Sequence, residues 1–265
     1  MMTYSKRLLF ILLILALKLS ADPILSSWFT EYSGQYARIY ETAADESALN
    51  SVTTWSHPNN GSGQALPTYA GVHEIAYTET NVYIRTSGLG FHIMGPWYLN
   101  EERTNLFPNY PSNTSAIFRF PRDPGAPPIS KTATGNGTIG YFVDGIGMFD
   151  SRDAFSYSNS NAGDARPNSN FTGDGIWNRD AYINESVTFD SAHAHQAGIN
   201  HHYHANPPAL RHLIGDSVDY DALTNTYTEN FNGQHSPIMA WVRDGYPIYG
   251  PYGYDDPDDA TSTVR

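Results

Sequence analysis

Two His-x-His pairs, His193/His195 and His202/His204, lie on either side of a short glycine-containing segment, and they constrain the fold more than any other stretch. In an extended chain, residues i and i+2 share a face, so each pair presents two imidazoles on one side. Between the pairs run Gln196, Ala197, Gly198, Ile199 and Asn200. A glycine among polar neighbours suits a tight return that lays the pairs side by side. Residues 190–204 hold five of the chain's ten histidines. Protonated near the reference pKa of about 6.5, so many imidazoles would repel one another. A metal ion or carboxylate partners would remove that cost. Three or four converging imidazoles make a zinc or copper site. The alternative is a structural hydrogen-bond network or a solvated histidine-rich loop.

The start of the chain reads as an export leader. Lys6 and Arg7 precede an unbroken apolar run from Leu8 to Leu17, and Ser20 and Ala21 are small enough for cleavage. The run is shorter than the about 20 residues of a membrane-spanning helix. The expectation is a signal peptide over residues 1–21, a secreted or extracytoplasmic product, and no stable membrane span. Removing Lys6, Arg7 and Lys18 takes the formal charge from −12 to −15, which argues against nucleic acid as a partner and suits a soluble or cation-binding protein. With no cysteine, neither disulfides nor thiolate ligands are available, so a metal must take His, carboxylate or amide donors.

The rest reads as β. Tyr, Thr, Val and Ile are frequent, and Gly, Pro and Asn punctuate the chain at short intervals. Strands are expected over 35–40, 52–56, 72–78, 81–86, 115–120 and 138–143, with the third and fourth forming a hairpin. Short helices are expected over 42–49 and 208–214, the latter opened by Pro208 and closed by Gly215. The predicted fold is all-β: a mostly antiparallel, sandwich-like single domain with long loops and one or two short helices. Residues 22–50 read as an N-terminal extension and 51–265 as the β domain.

Asp144-Gly145 is echoed by Asp244-Gly245, each followed by alternating apolar residues and an aromatic. Asp-Gly suits a tight turn, so both pairs read as turn formers. The strand after Asp244-Gly245, Tyr246 to Tyr249, is expected to pack beside the strand carrying His202 and His204.

At this point the chain resembles the YHYH-domain family. His201-His202-Tyr203-His204 with Pro207-Pro208 is similar to its signature, with His201 where the first tyrosine is usual. Asp244-Gly245-Tyr246-Pro247-Ile248-Tyr249-Gly250-Pro251 is similar to its other hallmark. Val82 to Trp97 and Gly140 to Ala154 are similar to its earlier strands, so the resemblance runs from about Trp55 to Asp256. It implies a secreted β-rich domain without an assigned reaction. Asp190 and His195 match the ends of a family element that carries a Cys in many members, absent here. It also implies a further segment beyond the Tyr-Pro-Ile-Tyr-Gly string, so that the sequence reads as truncated.

The remaining histidines read as structural. His73 and His92 suit the core edge, bonded to backbone; His57 and His212 suit the surface. The expected site is copper or zinc on His195, His202 and His204, with His193 or His235 as a fourth ligand and Asp190 fixing a tautomer through an outer ring nitrogen. No Gly-x-Ser-x-Gly elbow, phosphate-binding glycine loop or His-Glu-x-x-His helix is present. Two other functions stay open: a non-catalytic adhesion or glycan-binding module, and a metal-independent hydrolase using a cluster histidine as base.

Overall fold

The computed structural model describes residues 22–132, 135, 137–165, 174 and 177–265; the expected leader lies outside the described residues. Val82, Ile84 and Thr86 turn inward on alternate positions of β2 (Asn81–Thr86), the period-2 pattern of a half-buried strand. β1 (Val72–Tyr77) and β3 (Ala116–Pro121) flank it in a three-stranded antiparallel sheet. The β1–β2 hairpin is the one expected, with Ile75 opposite Ile84.

A second sheet comprises β4 (Thr138–Phe142), β5 (Gly147–Phe149), β6 (Ala194–Ala197), β7 (Asn200–Tyr203), β8 (Ile238–Val242) and β9 (Pro247–Tyr249). Its order is β6-β7-β5-β4-β8-β9, antiparallel except where β7 runs parallel to β5. Val72, Val82, Ile84 and Phe120 of the first sheet share one core with Tyr141, Phe142, Tyr203, Ala240 and Trp241 of the second. Burial of these apolar faces, at about 25 cal/mol per Å², is what holds the two sheets together. The mostly antiparallel all-β architecture is therefore as the sequence indicates.

A second cluster of Ile39, Trp55, Leu89, Phe91, Met94, Trp97, Phe107 and Tyr110 fills the loop-rich end. Residues 22–50 feed both clusters. Ile24 and Trp28 enter the first, and Ala37 and Ile39 the second.

Among the described residues, four short α-helices decorate the sheets: α1 (Pro23–Ser26), α2 (Ala43–Ser47), α3 (Ala181–Glu185) and α4 (Pro208–Leu213). α2 and α4 fall where expected, α2 capped by the Thr42 side chain accepting from Asp45 N–H. α1 and α3 are single turns, too short for a helical period to show in sequence. Behind α4, the buried Arg211 guanidinium is paired with Asp216 at 2.6 Å and Glu229 at 2.7 Å, which offsets the cost of desolvating it. Among the described residues no helix is long and apolar enough to cross a membrane.

The two Asp-Gly turns have the same construction. Gly145 N–H bonds Phe142 O and Phe142 N–H bonds Ile146 O; Gly245 N–H bonds Val242 O and Val242 N–H bonds Tyr246 O. Both glycines are left-handed, with φ of 83° and 89°. The two hairpins, β4–β5 and β8–β9, meet through antiparallel β4 and β8, with Tyr141 opposite Trp241. One expectation fails here. β9 lies at the far edge of the sheet, and the strand beside β7 is β5, which follows Asp144-Gly145. The echo in sequence made either strand eligible; pairing of β4 with β8 leaves only β5 free to reach β7.

Candidate metal centre

The β6–β7 hairpin turns on Gly198-Ile199, with Gly198 at φ 63°, as a two-residue turn with glycine first requires. This register puts His195 directly opposite His202, and His204 follows on the same face. Nε2 of His204 lies 2.9 Å from Nε2 of His202 and 2.8 Å from Nε2 of His195. The three rings converge on one point from two adjacent strands.

A carboxylate that the sequence reading missed completes the group. Glu185, the last residue of α3, places Oε2 3.1 Å from His204 Nε2 and 3.3 Å from His195 Nε2. It belongs to no motif, and only the tertiary fold brings the end of α3 beside these rings.

The outward ring nitrogens reveal the tautomers. His202 Nδ1 is 3.0 Å from Asn200 O, which can only accept, so Nδ1 carries the proton. Thr188 Oγ1 donates to Glu185 O at 2.6 Å and therefore accepts from His195 Nδ1, also at 2.6 Å. Both imidazoles, neutral, then turn unprotonated Nε2 lone pairs inward. The walls are aromatic: Phe149 stacks on His202 at 3.8 Å and Phe189 on His204 at 4.9 Å. Burial pulls His195 and His202 below the ordinary histidine pKa, His202 strongly. Burial pushes the Glu185 carboxyl up, but the adjoining His195 and His204 rings outweigh this and hold it well below the usual range. The site thus gathers three imidazole nitrogens and one carboxylate oxygen.

Other expected participants stand elsewhere. His193 does not join the convergent group. Its backbone is left-handed at φ 60°, which breaks the extended alternation that the His-x-His spacing assumes, and its ring packs against Tyr182. His235 bonds Ser236 O through Nδ1 and sits between Tyr249 and Tyr254. It is therefore at the β9 edge, across the sheet from the hairpin. Asp190 does not bond the outer nitrogens of His195 and His202, which Thr188 and Asn200 hold instead. Its carboxylate accepts from the N–H groups of Gly95, Ala192 and Ala194. Asp244 is exposed while Asp144 is buried, accepting Tyr203 O–H at 2.9 Å.

Of the remaining histidines, His73 bonds Tyr69 O as expected and His212 is exposed. His57 is buried rather than exposed, with Nε2 2.8 Å from Phe107 O, because Phe107 and Tyr110 close over it. His92 faces Tyr203 and Asp190 instead of backbone.

Residues 117–265 match the family model described as YHYH protein. No curated protein and no solved structure matches the chain. The matched region contains both Asp-Gly hairpins, Glu185 and the three convergent histidines, with His202 and His204 in the tetrapeptide 201–204. Because the match spans more than half of the 265 residues, this chain belongs to the YHYH protein family.

Proposed function

We propose that the protein is an extracytoplasmic metal-binding β domain, exported by residues 1–21, that holds one copper or zinc ion on His195, His202, His204 and Glu185. One observation carries this reading: the outer nitrogens of His195 and His202 are committed to oxygen acceptors, so their inner lone pairs face each other across a mostly buried site. A single His204 N–H cannot satisfy both lone pairs and the Glu185 carboxylate. A cation can, and imidazole with carboxylate is a donor set that zinc and copper(II) accept. Glu185 is the solvent side of the group, its side chain 25% exposed against 9% and 5% for His195 and His204. A bound ion would supply a Lewis acid at that rim.

The test is metal content and affinity on protein made without a His tag. The ion held at this site should be lost in the His202→Ala/His204→Ala double variant and kept in His212→Ala. A double variant that holds as much zinc or copper as the parent would remove the triad as the site.

Thr188→Val should keep the fold and weaken zinc binding about 10–100-fold, because it removes the acceptor that orients His195. Competition with a chromophoric chelator measures this directly. An unchanged affinity would show that the Thr188 contact does not set the tautomer.

A further inference from the structure

We propose a second divalent-metal site on the opposite face of the same hairpin, formed by His92 Nε2, Asp190 Oδ2 and a ring nitrogen of His201. Strand alternation builds it. His195 and His202 point to one side of the β6–β7 hairpin, so Gln196, His201 and Tyr203 point to the other. There His201 meets His92 with ring centroids 5.8 Å apart, and donor atoms of His92, Asp190 and His201 all lie within 4.8 Å of one another.

Hydrogen bonds leave this group incomplete. His201 is fully buried, and neither ring nitrogen has a hydrogen-bond partner among the described residues. His92 Nε2 is likewise buried and unpartnered, 3.6 Å from Asp190 Oδ2, which is too long for a hydrogen bond. The other side of His92 explains the gap. Tyr203 donates its O–H to Asp144 Oδ2 at 2.9 Å, so its oxygen accepts from His92 Nδ1 at 3.3 Å. With Nδ1 as the donor to Tyr203, Nε2 is the ring nitrogen left to face the carboxylate. Asp190 Oδ2 takes only Gly95 N–H, at 2.9 Å, and keeps acceptor capacity towards His92. Lone pairs face one another in an interior without compensation, a costly arrangement that a shared cation relieves. Two imidazoles and one carboxylate are a donor set for zinc or a first-row divalent ion. Surface clefts reach the group from two sides, one lined by Asp190 with Gly95 and Pro96, the other by His92 with Phe91 and Ile93.

The experiment counts ions bound to the full chain by native mass spectrometry and elemental analysis, with zinc as probe, and by cobalt(II) absorption. The wild type should hold two ions. His201→Leu and His92→Leu should each hold one, as should the His202→Ala/His204→Ala variant, and adding His201→Leu to the latter should leave none. Circular dichroism checks that each variant is folded, and the wild-type cobalt titration needs no variant: it should show two successive sets of bands. The proposal is overturned if the wild type takes a single ion that the His202/His204 pair removes completely, which would mean that His92 carries a proton rather than facing a metal. It is also overturned if folded His201→Leu still holds two. Failure of the triad reading looks different: the His202→Ala/His204→Ala variant would match the wild type while His201→Leu lost its ion.

Discussion

Replacing Gly145 with valine is expected to destabilise the protein by about 3–5 kcal/mol, the largest effect of any single substitution considered. Two costs add. The backbone at φ 83° is a region β-branched residues avoid, which costs roughly 1–2 kcal/mol. A Cβ there would overlap Thr86 Oγ1 and stand 3.0 Å from the Gly71 carbonyl carbon. Thr86 cannot yield freely, because its hydroxyl bonds Gly71 O and Gly145 O and accepts from Gly88 N–H. That contact joins the two sheets, so relieving the clash parts them. Gly245→Val meets Pro121 O at 2.5 Å at the edge of the sheet and should cost less, about 2–3 kcal/mol. Gly198→Ala has open space, so only its φ matters and the cost should be about 1 kcal/mol. Urea unfolding followed by circular dichroism orders the three. Gly145→Val within 1 kcal/mol of the parent would show that the turn relaxes.

Acidification of metal-free protein should destabilise it well above the pH at which ordinary carboxylates titrate. Burial holds His202 well below its ordinary pKa and His201 at about 3. In the unfolded chain both return to about 6.5. Below that pH the unfolded state binds protons that the native state refuses, so stability falls as pH falls. At pH 5 each such imidazole costs roughly 2 kcal/mol. Asp144 acts in the opposite sense. Burial raises its carboxyl to about 6, so between pH 6 and its lower unfolded value the native state takes up the extra proton and gains stability. One unit at pH 5 returns about 1.4 kcal/mol. The net expectation is a loss of roughly 2–3 kcal/mol from pH 7 to pH 5 in chelator. Below the carboxylate range the loss steepens, as Glu185 and Asp190, both held low in the fold, are protonated in the unfolded chain. Zinc at a hundred times its Kd should add about 2.7 kcal/mol at pH 7 and progressively less as protons compete for the imidazoles. Urea midpoints at the two pH values, with zinc and with chelator, measure both effects. A midpoint in chelator that holds or rises on acidification would contradict the assignment of neutral, buried histidines.

The sequence by itself determined the all-β class, the β1–β2 hairpin, the left-handed glycines of the Asp-Gly turns and the approach of His195 to the face of His202 and His204. Each follows from spacing or from one residue's backbone freedom, so neighbours along the chain suffice. The alternation rule served where the chain is extended, at His202 and His204, and failed at His193, whose left-handed backbone no spacing announces. Glu185 and Thr188 were invisible for another reason: an isolated turn of helix leaves no period, and their roles exist only once the fold brings the segment 185–188 beside the hairpin. Tertiary structure also decided which Asp-Gly strand joined β7, since local signals were equal and only sheet order distinguished them. The same holds for His92, which its apolar neighbours marked as a backbone-bonded core histidine. The fold instead sets it against Asp190 and His201, distant in sequence, where the hydrogen bonds run out.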